Sequence, residues 1–513
     1  MSEARPEAPV PATSAATPAG RQRPLGEGEG PERGEPLSAV RLGALVLGPL
    51  LAILIVLLPA PEGMPDPAWK LVSMTVWMVV WWLGEAVPIP ATALLPIPLM
   101  PLYGISAMGP VAASYADSLI FLFLGGFLLA AAMQRWGLHR RIALRIVAAV
   151  GTSPGGIIGG FMLATGFLSL WISNTATTVM MFAVGLSVID FIGRQTKDDR
   201  MLRNFGVALM LGIAYSASIG GVGTLIGTPP NALLASFLAS TYDIQITFFT
   251  WMLFGMPVVI VMLPLAWLLL TKLIFPARKL QVGDASGVVR GELLALGSMG
   301  YAEKVVGGVF LGAALAWIFR SPIVALTGLP INDTSVAMIA ALVLFAWPVS
   351  RAEGTFVLDW SAARNVPWGV LLLFGGGLAL AGGFKETGLA EWIGNSVTGF
   401  DVGTWVLVLI VVTAIVYLTE ITSNTASTAT FLPILGAVAV GLELDPRMLA
   451  VPVAVGASMA FMMPVATPPN AIVFAYERMQ LRDMVMAGFW LNILAIAVTF
   501  GAMYLLAGAV FGI

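Results

Sequence analysis

Residues 44–58, 71–82, 251–270, 305–318 and 491–506 run without a single charged side chain. A backbone amide in hydrocarbon has no water to bond, so runs of this length have one stable form there, a helix that satisfies its own N–H and C=O groups. The whole chain agrees with the runs: 58% of its 513 residues are hydrophobic and 11% charged, with a mean hydropathy of +0.91. That balance excludes a soluble domain. A membrane barrel would instead alternate apolar and polar residues in short segments, and no such pattern is seen. The spacing predicts an all-α polytopic membrane protein of about eleven spanning helices plus irregular pieces.

The first forty residues differ in kind. Rich in Pro, Gly, Glu and Ala and nearly free of large apolar side chains, residues 1–40 read as a disordered cytoplasmic tail. They hold no apolar core of the sort a cleavable signal needs, so the first helix, starting near Arg41, is expected to stay as an anchor. The absence of cysteine excludes disulfides, thiolate metal sites and a catalytic Cys. The lone histidine, His139, lies in the basic string RWGLHRR, which reads as a solvated face. A net charge of -2 offers nothing to a nucleic acid. Basic residues cluster in the tail, in RWGLHRRIALR, GRQTKDDRMLR and TKLIFPARKL, and around Arg351, Arg364, Arg478 and Arg482. With these in the cytoplasm, Lys70, Arg320, Lys385 and Arg447 are left for the other side, so the amino terminus is expected inside the cytoplasmic membrane.

Two halves of the chain carry the same motifs in the same order. FLFLGGFLLAAAMQRWGLHRRIA, from Phe121, parallels LLLFGGGLALAGGFKETGLAEWI, from Leu371; SNTATT at 173–178 parallels SNTAST at 423–428; and GTPPNALL parallels ATPPNAIV further on. This predicts two structural repeats, residues 41–275 and 302–513, joined by a cytoplasmic connector at 276–301. RWGLHRR and FKETGLAEWI occupy equivalent positions with opposite charge character. The repeats are therefore expected to be inverted, each holding scaffold and transport elements.

Within each repeat two motifs carry chemistry. Two consecutive prolines remove two amide donors and clash with the preceding turn, so each TPPN, 228–231 and 467–470, marks a discontinuous helix with free carbonyls. Such backbone is tolerated at membrane depth only in protein or against a wet cavity. Each SNT cluster sits midway along a broken apolar segment, which fits a re-entrant helical hairpin turning at SNT. Its tip would present a half-helix N-terminus beside Ser, Asn and Thr side chains. Carbonyl, hydroxyl and amide oxygens suit a hard cation such as sodium; N–H and O–H groups suit a carboxylate or other oxyanion. No Arg or Lys accompanies these motifs, so bound cations are the natural counter-charge for a dianion. Glu420, whose counterpart is Leu170, admits two readings: a proton or cation ligand, or a hydrogen-bonding group within the hairpin.

From about residue 41 to its end, through ISNTATT, TSNTAST, GTPPN and ATPPN, the chain resembles the divalent anion/sodium symporters, the INDY-like dicarboxylate transporters. The resemblance implies a homodimer in the lipid bilayer whose protomers each move a transport domain against a scaffold in an elevator-type alternating access. It implies co-transported sodium ions, no organic cofactor, and a C4-type dicarboxylate substrate such as succinate, malate or fumarate. By this resemblance one sodium site uses Ser169, Ser173, Asn174 and the backbone of Gly227. The other uses Thr419, Ser423, Asn424 and the backbone of Ala466 and Pro468. The dicarboxylate lies between them against Ser173, Asn174, Thr175, Thr228, Ser423, Asn424, Thr425 and Thr467. Some members resemble sodium-independent dicarboxylate exchangers, and others transport citrate or sulfate, so these alternatives stay open. An intramembrane serine hydrolase needs a base beside its nucleophile, and no His, Lys or Cys adjoins either SNT in sequence. A passive channel gives no reason for duplicated, broken hairpins.

Overall fold

A computed structural model describes residues 38–150, 153–196, 198–277, 280, 285–397 and 403–513. The expected tail lies outside the described residues up to position 37, as do parts of the connector. Among the described residues, nine helical stretches are long and apolar enough to cross a membrane, and shorter apolar helices include Ile89–Leu102, Pro154–Ser169, Asp333–Ala346, Thr404–Leu418 and Arg447–Ala457. The only strands described are the short pair Pro348–Ser350 and Thr355–Phe356. Among its described residues the connector contains one helix, Ala285–Ala295.

The order of elements doubles in step with the motifs. Ser118–Arg135 and Trp368–Glu386 are the glycine-bearing helices, followed by the amphipathic helices Leu138–Val150 and Leu389–Val397. The two SNT segments are hairpins. The first runs up Pro154–Ser169 and back along Asn174–Gly193; the second runs up Thr404–Leu418 and back along Asn424–Gly441. The two TPPN segments are broken helices, Asp199–Gly221 with Pro229–Tyr242, and Arg447–Ala457 with Pro468–Phe474. Long closing helices follow at Phe248–Ile274, whose last turn is π-helical, and at Leu481–Phe511.

Local chemistry sets where these elements start. Ser153 Oγ accepts from Gly156 N at 3.0 Å and Asp198 Oδ1 from Met201 N at 3.0 Å, each filling an orphan donor of a first turn. Pro229 and Pro468 open their helices at the position where a missing N–H costs nothing. The first broken helix ends on Asp243 in a left-handed conformation, φ 59°.

Packing crosses between the halves. Pro229–Tyr242 of the first half lies against Asn424–Gly441 and Arg447–Ala457 of the second, while Pro468–Phe474 of the second lies against Asn174–Gly193 and Asp199–Gly221 of the first. Of the nine long apolar stretches Asp199–Gly221 is the innermost, 89% of its apolar window buried against 17% for the outer helix Ala39–Leu57. The inner helix meets the first hairpin so tightly that a Cβ on Gly220 would strike the Gly166 backbone. At the rim, Arg141 (5% exposed) pairs with Glu303 (6% exposed) at 2.5 Å and donates to the Gly297 and Leu296 carbonyls at 2.8 and 3.2 Å. The string RWGLHRR is thus only partly a solvated face, because one of its arginines is the buried tie between Leu138–Val150 and Tyr301–Ile318. His139 is half-buried, with Nδ1 3.1 Å from the Met133 carbonyl oxygen.

Candidate binding site between the two hairpins

Four helices begin at one cavity of about 800 Å³. Their N-cap residues are Ser173, Thr228, Ser423 and Thr467, opening helices of 20, 14, 18 and 7 residues. All four line the cavity, as do Asn174, Thr175, Asn424 and Thr425. Thus every side chain that the resemblance assigns to the anion faces a single space. Ser173 Oγ caps its own helix, accepting from Ala176 N at 3.3 Å, and Thr467 Oγ1 accepts from Asn470 N at 3.3 Å. Neither Ser423 nor Thr228 spends its hydroxyl on a cap. The opposite wall carries Phe123, Phe127, Gln134 and Asn365, and Glu85 is the one charged residue among the described lining.

Behind each hairpin tip oxygens gather. A Cβ built on Gly221 would lie 2.9 Å from Asn174 Oδ1 and 3.1 Å from the Gly227 carbonyl oxygen; one built on Gly227 would lie 2.9 Å from the Ser169 carbonyl oxygen and against that of Gly221. Three carbonyls and an amide oxygen therefore converge where only glycine leaves room. Buried Ser169 Oγ and Asn174 Oδ1 have no hydrogen-bond partner among the described residues. Orphaned buried acceptors are costly, and a hard cation relieves that cost. Behind the second tip, Thr419 Oγ1 stands 2.8 Å from Asn424 Oδ1 and 3.1 Å from the Ala457 carbonyl oxygen. Ala466 and Pro468 line the cavity with Asn424. The carbonyl that Thr419 meets is that of Ala457, which the motifs did not single out.

The TPPN breaks are more tightly held than the prolines alone imply. Asn231 Nδ2 donates to the carbonyls of Gly221 at 3.1 Å, Val222 at 3.2 Å and Thr224 at 2.8 Å. Asn470 Nδ2 donates to those of Ala460 at 3.2 Å and Met463 at 3.0 Å. The offsets, ten and seven residues back, are the same in both halves. So the expected free carbonyls are partly spoken for, and the last residue of each TPPN, part of the motif but given no role, stitches the unwound segment to itself.

The two breaks are anchored to their hairpins and closing helices by different chemistry. In the first half Thr224 Oγ1 donates to the Leu170 carbonyl at 2.5 Å, and Trp251 Nε1 to that of Val222 at 2.9 Å. In the second, buried Glu420 accepts from the backbone amides of Phe461 at 2.7 Å, Met462 at 2.9 Å and Met463 at 3.0 Å, and from Asn492 Nδ2 at 2.8 Å. The bonds of Glu420 thus run to the second break and to the closing helix Leu481–Phe511, not within its own hairpin as one of its two readings expects.

The chain is 42% identical over 481 residues, 92% of each chain, to the sodium-dependent dicarboxylate transporter SdcS of Staphylococcus saprophyticus. It is 40% identical over 486 residues, 93% of this chain and 94% of the relative, to SdcS of Staphylococcus aureus strain USA300. In fold it is similar to the YdaH transporter of Alcanivorax borkumensis, with a TM-score of 0.55, 16% identity, and 92% and 97% of the two chains covered. MtrF of Neisseria gonorrhoeae matches with a TM-score of 0.55, 12% identity, and 90% and 98% covered. Residues 40–512 match the sodium:sulfate symporter transmembrane region. The chain belongs to that family, and it is a transporter rather than an enzyme.

Proposed function

We propose that this chain carries C4-type dicarboxylates such as succinate, malate and fumarate across the cytoplasmic membrane together with sodium ions. The observation that carries the reading is one cavity ringed by four helix N-caps, backed by two oxygen clusters and lined by no basic side chain among its described residues. Helix N-termini favour an anion by roughly 0.3–1 kcal/mol each, up to about 2 in partly buried geometry, too little to hold a dianion away from water. A cation about 4 Å from the anion contributes about 4 kcal/mol at an effective dielectric near 20. Sodium held by Ser169, Ser173, Asn174 and Gly227, and by Thr419, Ser423, Asn424, Ala466 and Pro468, completes the site. The substrate then lies against Ser173, Asn174, Thr175, Thr228, Ser423, Asn424, Thr425 and Thr467. The name of the SdcS relatives, sodium-dependent dicarboxylate transporter, supports both parts.

On this reading the two halves are inverted repeats, supported by the reciprocal packing of their half-helices. The protein works as a homodimer with its amino terminus in the cytoplasm, and each protomer's hairpins and broken helices move together as an elevator. Gln134 and Asn365 at the cavity wall lie next in sequence to Arg135 and Arg364, which supports an inward-facing cavity. The test is uptake of labelled succinate into vesicles of the purified protein, with a sodium gradient against a potassium control and with or without internal succinate. Uptake into empty vesicles that requires sodium is expected. Uptake that ignores sodium and needs internal succinate overturns the symport reading in favour of exchange; inhibition by sulfate but not by dicarboxylates overturns the substrate.

A further inference from the structure

A second cavity, of about 450 Å³, lies on the outer side of the first hairpin, between its ascending arm Pro154–Ser169 and the helix Phe248–Leu268. Trp267 closes one end. Its Nε1 donates to the Gly155 carbonyl at 2.8 Å, and a Cβ on Gly159 would come within 3.2 Å of the same nitrogen. Apart from that indole nitrogen its lining side chains are all without N or O. Leu163, Phe167 and Ile260, which line it, are 50%, 40% and 63% exposed. In a membrane that exposure is to lipid.

Three features of the groove specify what fills it. Its length comes from the helix. Met256 and Trp267 mark its two ends, and eleven residues at 1.5 Å each give about 16 Å, half of the roughly 30 Å hydrocarbon core. The groove therefore traverses one leaflet, the path of a single acyl chain. Its outer end carries charge: Lys272 Nζ lies 5.1 Å from the centre of the Trp267 ring, in the basic string TKLIFPARKL. An interfacial tryptophan with a lysine above it marks headgroup depth, and the lysine favours an anionic headgroup. Its inner end reaches the first hairpin tip. Leu170, which lines it, packs against Gly223 of the first break, and Gly166, one turn below, is the residue that Gly220 abuts.

We propose that this groove binds one acyl chain of an anionic phospholipid, with the headgroup at Lys272 and the chain lying behind the first hairpin tip, where it braces residues 166–170 against the inner helix. The inference stands on the groove itself and needs no particular transported substrate.

The experiment places the full-length protein in phosphatidylcholine vesicles with and without phosphatidylglycerol. A trace of either lipid carries a photoreactive diazirine on its acyl chain, and the labelled peptides are mapped. Photoreactive phosphatidylglycerol is expected to label residues 159–170 and 256–267 about fivefold more than the phosphatidylcholine probe, the factor one lysine beside anionic lipid is worth. Unlabelled phosphatidylglycerol should compete. Lys272→Gln should remove the headgroup preference and keep the chain labelling; Ile260→Trp, which fills the groove without touching Lys272, should remove the labelling at Met256. Phosphatidylglycerol should also slow amide exchange in residues 166–175. Labelling spread evenly over the lipid-facing helices, Ala39–Leu57 included, with no headgroup preference, overturns the proposal. Absence of labelling at 159–170 and 256–267 by either probe, with the other lipid-facing helices labelled, overturns it too, since protein then covers the groove.

Discussion

Glu420→Gln tests how the second break is held. The carboxylate is one atom-for-atom exchange away from an amide, so shape is preserved and only the hydrogen bonding changes. Oε1 faces Phe461 N, Met462 N and Asn492 Nδ2, whereas Oε2 faces Met462 N and Met463 N. A glutamine can present oxygen to one set only. With its oxygen at Oε1, its NH2 points at the Met463 amide, which then has no acceptor. A buried orphan donor costs ~1–3 kcal/mol, and exchanging the remaining charge-assisted bonds for neutral ones costs ~1 kcal/mol or more. The total is about 3 kcal/mol, a factor of roughly 100 in the population of the native break. Ala457, at the start of that break, carries the carbonyl that Thr419 meets. Sodium bound there would lose affinity in proportion. The assay is the sodium concentration that half-saturates succinate uptake in vesicles, which should rise by one to two orders of magnitude, with a melting curve in detergent to establish that the variant is folded. A folded Glu420→Gln protein with unaltered sodium dependence would refute the reasoning.

Four further outcomes follow from the same geometry. Gly221→Ala puts a methyl 2.9 Å from Asn174 Oδ1, so sodium dependence should weaken more than tenfold while Gly300→Ala, which meets nothing within 4 Å, leaves it unchanged. Asn231→Ala and Asn470→Ala each strip two or more carbonyls of their donor and should lower the detergent melting point by a few degrees, at ~1 kcal/mol per lost bond. Arg141→Met leaves Glu303 buried and unpaired and should cost ~3–5 kcal/mol of stability, most of it recovered when Glu303→Leu is added. Partial burial tends to raise the Asp359 pKa, but bonds from Ser361, the Ala362 amide and Arg135 overcome this and hold it at about 2. A depressed pKa contributes stability above the unfolded value of about 3.9 that is lost as pH falls through about 2. The melting-point difference between wild type and Asp359→Asn should thus be constant from pH 8 to about pH 5 and vanish only in strong acid.

Much of the architecture is legible in the residues because the membrane leaves the chain few choices. Uncharged runs must be helices, a double proline must break one, and a motif repeated in order must mark equivalent elements. The cavity lining is legible for a related reason: Ser173, Thr228, Ser423 and Thr467 are cap residues, and caps mark helix ends. What the residues hide are partnerships through space. Nothing near Glu420 in the chain points to Phe461, Met462 or Met463 of the second break or to Asn492 of the closing helix. Ala457 and Gly221 contribute backbone carbonyls, which have no residue-specific signature. Arg141 looks like Arg135 and Arg140 in RWGLHRR, which also pair with acids, Asp359 and Glu292, and differs in that its pair with Glu303 is buried. Among the described residues nine long apolar stretches stand beside shorter apolar helices, because hairpin arms and half-helices are features that hydropathy alone cannot separate from crossings.

The reciprocal seating of the half-helices also sets the order in which this chain can be made. When the first 275 residues have left the ribosome, Pro229–Tyr242 has no Asn424–Gly441 to lie on, and the flank of Asp199–Gly221 awaits Pro468–Phe474. Neither half can finish folding alone, and the first must wait in the bilayer for nearly two hundred more residues. Co-expressed fragments cut within the connector should therefore reassemble, whereas either fragment alone should be degraded.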